Sequence, residues 1–146
     1  MQATFPRFTV MTLGVADMAR SIRFYEALGF RRKMKATGEE VAFFETGASA
    51  LALYAWHKLG AEAGLLGDAA GGFRGITLAW NCNDRAEVDA AFAHALASGA
   101  RPLKAAQATD YGGYCAYFAD PDGHVWEIVT APGIAVQEDG RVKLPD

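Results

Sequence analysis

At 146 residues and 51% hydrophobic content, the chain has the length and apolar fraction of one compact domain, too short for two independent ones. Its 14 basic and 17 acidic residues nearly cancel, leaving a formal charge of -3. Because the only basic run is Arg31-Arg32-Lys33, neither nucleic acid nor an anionic membrane is expected as a partner.

The start, Met1 to Val10, lacks the basic region and long apolar stretch of a secretory signal, and no apolar run reaches membrane-spanning length. A cytoplasmic protein is the expectation. The two cysteines, Cys82 and Cys115, lie far apart and form no metal-finger spacing, so they read as reduced thiols packed as small hydrophobes.

Phe8 to Val15, rich in β-branched and apolar side chains, predicts a strand that ends at Asp17, a residue suited to accept backbone N–H bonds as a helix N-cap. Met18, Ile22, Tyr25 and Leu28 recur at helical spacing, and Gly29 suits the left-handed residue that closes a helix. Phe30 to Ala36, Val41 to Glu45 and Ala50 to Trp56 then read as three strands separated by Thr37-Gly38 and Thr46-Gly47. The glycine-rich stretch from Lys58 to Phe73 reads as a surface linker with a short helix around Ala61 to Leu66, Leu65 and Leu66 turned inward.

The second half repeats the order. Ile76 to Cys82 reads as a strand, and Asp84 with Glu87 has the spacing of a capping box. Val88, Ala91, Phe92, Ala95 and Leu96 form the apolar face of a helix that Gly99 ends. Pro102 to Lys104, Tyr114 to Phe118 and His124 to Thr130 supply three more strands, the last two joined by the turn Asp120-Pro121-Asp122-Gly123. In the tail, Asp139-Gly140 is a turn signal between two short arms, which leaves a small hairpin and disorder both open. The two halves match weakly at a spacing near 65 residues, Thr12-Leu13 with Thr77-Leu78 and Gly29 with Gly99. The chain thus divides into module one (about 7–57), a linker (58–73), module two (about 74–131) and a tail (132–146), within a single domain.

Three segments, Leu13-Gly14-Val15-Ala16-Asp17 running on to Ser21-Ile22-Arg23-Phe24-Tyr25 and Leu28-Gly29-Phe30, then Gly75 to Leu78, then Phe118 to Glu127, resemble the glyoxalase, bleomycin-resistance and extradiol-dioxygenase (vicinal oxygen chelate) superfamily. The resemblance covers roughly residues 8 to 131. It implies an α+β fold in which two βαβββ modules form an eight-stranded open cup with helices outside and ligand within, and it implies a homodimer. Active metalloenzymes of the family bind a divalent ion at four inward positions, and these fall here on Val10, Ala52, Gly75 and Glu127. Only Glu127 has a donor a metal would use, since hydrocarbon side chains and glycine offer none.

A pocket without metal or other cofactor is therefore expected, with a small-molecule ligand. Glu127 is the candidate catalytic residue, as general acid or base or as receptor for an amine, and a purely structural role bonded to a tyrosine hydroxyl or buried water stands beside it. Strand alternation adds Thr12, Tyr54, Trp56 and Thr77 to the lining, with Tyr114 from among Tyr111, Tyr114 and Tyr117. Tyr111-Gly112-Gly113-Tyr114 reads as a mobile rim. His57, His94 and His124 read as surface residues. A metal-dependent enzyme with a rearranged site and a protein that sequesters a toxic compound remain the alternatives, and whether the chain is an enzyme stays open.

Overall fold

The computed structural model describes residues 6–47, 49–65 and 72–146. Module one runs β1 (Val10–Val15), α1 (Met18–Leu28), β2 (Arg31–Lys33), β3 (Val41–Glu45) and β4 (Ala50–Ala55). A short helix α2 (Trp56–Glu62) follows, and then module two: β5 (Thr77–Asn81), α3 (Arg85–Ala97), β6 (Arg101–Ala108), β7 (Tyr114–Ala119) and β8 (Val125–Thr130). Each module is a four-stranded sheet of the same topology, β1-β4-β3-β2 and β5-β8-β7-β6, with one parallel pair, β1 with β4 and β5 with β8. The repeat expected from the sequence is therefore present, strand for strand.

Local chemistry explains the helices. The Asp17 carboxylate accepts from the Arg20 N–H at 3.0 Å, and Gly29, at φ +115°, closes α1 with its N–H on the Glu26 carbonyl. Asp84 accepts from the Glu87 N–H at 2.8 Å, while the Glu87 carboxylate reaches back to the Asn83 N–H at 2.7 Å. This is the expected capping box, reaching one residue further back than the usual form.

One core serves both modules. Leu13, Val15, Leu51, Leu53 and Phe44 of the first sheet and Ala116, Phe118, Trp126 and Ile128 of the second all face inward, where Ile22, Tyr25 and Leu28 of α1 and Val88, Ala91 and Ala95 of α3 join them. Tyr25 is the hub: its ring packs edge-on to Phe24 and lies against Phe30, Phe44 and Trp126. The opposite parity of these strands, including Thr12, Ala52, Thr77, Glu127 and Tyr117, faces away from α1 and α3.

Several boundaries differ from the sequence reading. The first strand starts at Val10, leaving Phe8 exposed, and the second shortens to Arg31–Lys33 because Met34 takes a left-handed conformation (φ +53°) and a 3-10 turn follows at Lys35–Thr37. The linker helix forms about one turn earlier than expected; β4 stops at Ala55, Leu65 is exposed, and Leu66 lies outside the described residues. Strand β6 is longer than expected because it carries two register shifts against β7, which let an irregular sequence stay paired. The tail forms a hairpin, β9 (Ala135–Val136) with β10 (Val142–Lys143), turned at Asp139-Gly140 and lying against Gly47 of the β3–β4 turn.

Candidate functional site

Two of the three segments that carried the resemblance are bonded to each other. The Asp122 carboxylate, on the β7–β8 turn, accepts from the Ala16 N–H (2.8 Å), the Arg20 guanidinium (3.0 Å) and the Ser21 hydroxyl (2.9 Å) at the start of α1. Asp120 shapes its own turn by accepting the Asp122 and His124 N–H groups, and with its other oxygen takes the Tyr25 hydroxyl at 2.6 Å. Burial, and after it the Asp120 carboxylate, pushes the Tyr25 phenol well above its usual range, so it stays a donor. These motif residues are a joint between modules, and each carboxylate already accepts three hydrogen bonds within the protein.

A second joint lies beside it. His124 Nε2 donates to the Gly14 carbonyl at 2.7 Å, because a carbonyl can only accept, which leaves Nδ1 facing an Arg74 N–H at 3.4 Å. The imidazole stacks on Trp56 (5.7 Å, 13°), and the Arg74 guanidinium sits 4.6 Å above the same indole while donating to the Asp122 carbonyl at 2.9 Å. His124, expected at the surface, is thus a half-buried tie between β1 and the β8 hairpin; the length of the turn conceals this in the sequence. Trp56 is not on a strand, so strand parity does not place it. It opens α2 and rests on Gly14, where a Cβ would meet the indole at 3.2 Å.

The strand registers locate the four family positions independently of any alignment. Thr12 pairs with Ala52 and Ala79 with Glu127, so Ala79 is the counterpart of Thr12 and, two residues earlier, Thr77 is the counterpart of Val10. The caps agree, since Val10 precedes Asp17 by as many residues as Thr77 precedes Asp84. Gly75 is therefore not the fourth position: it lies before β5, exposed, with φ +77°. Matching helix cap to helix cap finds this in the sequence.

The positions differ between the modules. In module one, Val10 is 43% exposed and Ala52 is buried, lining with Thr12, Phe43 and Tyr54 a cavity of about 350 Å³ whose other wall is Leu59 and Glu62 of α2. The Tyr54 hydroxyl donates to Glu62 at 3.2 Å, tying the helix to the sheet face. In module two, Thr77 is exposed and Glu127 half-buried, directly opposite Tyr117 on β7. Burial, and then the Glu127 charge, raise the Tyr117 phenol to about 12. Tyr114, expected in the pocket, has the parity of Ala116 and Phe118; its hydroxyl donates to Asp89 of α3 at 2.7 Å under the Arg85 guanidinium, away from this face. Tyr111 is exposed.

A metal ion does not fit this set. Val10 and Ala52 have no donor, Thr77 offers a neutral hydroxyl, and Glu127 alone supplies a charged oxygen. Among the described residues no three His, Cys, Asp or Glu side chains gather at any point.

The family model of the Glyoxalase/Bleomycin resistance protein/Dioxygenase superfamily matches residues 7–128. The chain belongs to this superfamily. Among solved structures, a glyoxalase-related enzyme from Fulvimarina pelagi is 31% identical, with a TM-score of 0.86 over 97% of this chain and 100% of that one. A glyoxalase/bleomycin resistance protein/dioxygenase from Nocardioides (24% identity, TM-score 0.74, 90% and 88% coverage) and a fosfomycin resistance protein from Mesorhizobium loti (19%, 0.64, 88% and 94%) share the fold. The comparison with curated proteins finds no match. Superfamily membership fits the paired modules and the α1–turn joint. Among the described residues no helix is long and apolar enough to cross a membrane.

Proposed function

We propose that this superfamily member binds a small organic molecule without a resident metal, on the outer face of module two. The observation that supports it is the donor set at the four register-related positions: two hydrocarbons, one neutral hydroxyl and one carboxylate. Chemistry that needs a metal to polarise substrate oxygens has nothing here to grip the ion. What the face does carry is Glu127, able to accept a proton or a hydrogen bond, beside Tyr117, whose high pKa keeps it a donor across the physiological range.

Elemental analysis of protein purified without chelator tests this: background zinc, nickel, manganese and iron are expected, and one ion per chain would overturn it in favour of a metal-dependent lyase, isomerase or dioxygenase. Sequestration of a toxic compound is the reading favoured if ligands bind and leave unchanged, and it draws support from the openness of the face, where Thr77 and Ala79 are exposed.

A homodimer belongs to the same reading. Leu65 and Ile76 are large, exposed apolar side chains around the separate cavity lined by β1 and the start of β5, a surface suited to a second copy. Sedimentation at twice the 15.6 kDa chain mass is expected, and a mass of one chain would refute the dimer. A cytoplasmic location is proposed with it, supported by two buried cysteines that are not paired.

A further inference from the structure

The ligand's chemistry can be read from the rows that cross the second sheet. Because β6, β7, β8 and β5 lie side by side, their registers align Lys104, Tyr117, Glu127 and Ala79 in one row, and Arg101, Ala119, Val125 and Thr77 in the next. Ordinary alternation would put Arg101 and Lys104 on opposite faces, since they are three residues apart. The register shift between Pro102 and Lys104 inserts an extra residue and brings both cations to the outer face.

Both cations line a groove of about 790 Å³ whose floor and sides include Tyr117, Val125, Leu103 and Phe73. The acid in that wall, Asp122, is already occupied by Arg20, Ser21 and Ala16. Among the described residues, by contrast, neither Arg101 nor Lys104 has a hydrogen-bond or ion-pair partner. The groove therefore offers uncompensated positive charge at the β6 end and an aromatic and aliphatic bed in the middle. Glu127 does not line the groove itself but stands next to Tyr117 in the same cross-strand row, two strand spacings or roughly 10 Å from Lys104. The neighbouring cavity between β1 and β5 lacks this polarity, because His124 and Arg74 in its wall are engaged with Gly14, Trp56 and Asp122.

We propose that this groove takes an aromatic carboxylate with a hydroxyl or amine at the far end of the ring. The acid lies on Arg101 and Lys104, the ring over Tyr117 and Val125, and the distal donor on Glu127. The inference rests on the metal-free reading above, since an ion on Glu127 would occupy the carboxylate that the distal group needs.

Calorimetric titration of the full chain with 4-hydroxybenzoate in chelator-treated buffer tests it, with 4-hydroxybenzyl alcohol (no acid) and benzoate (no distal donor) as comparisons. Saturable one-to-one binding is expected for 4-hydroxybenzoate, with weaker binding of both comparison compounds. The Arg101→Gln/Lys104→Gln variant, altered only at exposed positions, should bind about tenfold more weakly and lose most of its salt dependence. Glu127→Ala should weaken 4-hydroxybenzoate and leave benzoate unchanged. Absence of binding by a metal-free protein, or equal binding of the neutral alcohol, overturns this inference and leaves the metal-free reading standing. Binding that appears only once zinc or manganese is supplied overturns both.

Discussion

The two modules are the same construction put to different uses. Their sheets share topology, and their first helices share an aspartate cap, but their turns and outer faces have diverged. In the β3–β4 turn of module one the Thr46 hydroxyl donates within the turn, to the Ser49 carbonyl at 2.7 Å, whereas the side chains of the β7–β8 turn of module two are wired across the molecule to α1. On the outer faces, α2 lies against module one over Ala52, while the corresponding surface of module two stays open around Glu127. A duplicated scaffold can thus assign the joint and an open outer face to one copy while the other has its outer face covered.

The largest expected effect breaks the joint. Asp122→Ala leaves the Ser21 hydroxyl, the Ala16 N–H and one guanidinium without their acceptor, and should cost about 3 kcal/mol in denaturant-derived stability. The contrast between turns is wrong if Thr46→Ala, in module one, costs as much.

Next comes the cover over module one. Gly14→Ala puts a methyl against both the indole and the Cα of Trp56, where neither can move without shifting α2, and should destabilise by about 2 kcal/mol. Exposure of Trp56, followed by fluorescence quenching, should increase in the same variant; unchanged quenching would show that α2 is not seated on β1.

Alkaline pH separates the modules at positions that correspond by register, Val15 in one and Cys82 in the other. Burial first, and then Glu87 and Asp84, raise the Cys82 thiol from 9.0 to about 11. The folded state therefore disfavours the thiolate: the contribution is intact below pH 9, and is lost as pH rises to 11 because the unfolded chain ionises first. The loss amounts to about 2 kcal/mol. Cys82→Ala should flatten denaturation midpoints across that window, while retention of the full decline would assign it elsewhere. Tyr25, raised as well, adds a further loss above pH 10 that both proteins share.

The smallest effect is Thr46→Ala itself, about 1 kcal/mol, for the single hydroxyl bond within the first turn.

Much of this architecture was legible in the sequence because it depends on local signals. Asp17, Gly29, Asp84 and the Asp120-Pro121-Asp122-Gly123 turn each fix the backbone within a few residues, and apolar spacing identified both helices. The site was less legible wherever it depended on long-range register. The family resemblance puts the fifth-strand position on Gly75, whereas strand pairing puts it on Thr77, and Tyr114 has along β7 the parity of Phe118 and not of Tyr117. His124 and Trp56 meet across nearly half the length of the chain, a contact that no local pattern encodes. Arg101 and Lys104 share a face only through a register shift that alternation does not foresee.

The central claim is that two hydrocarbons, a hydroxyl and one carboxylate do not grip a divalent ion. Isothermal titration of the chelator-treated chain with zinc, and separately with manganese, addresses it directly. The account predicts no saturable heat with either metal. A one-to-one isotherm that disappears in Glu127→Ala would contradict it.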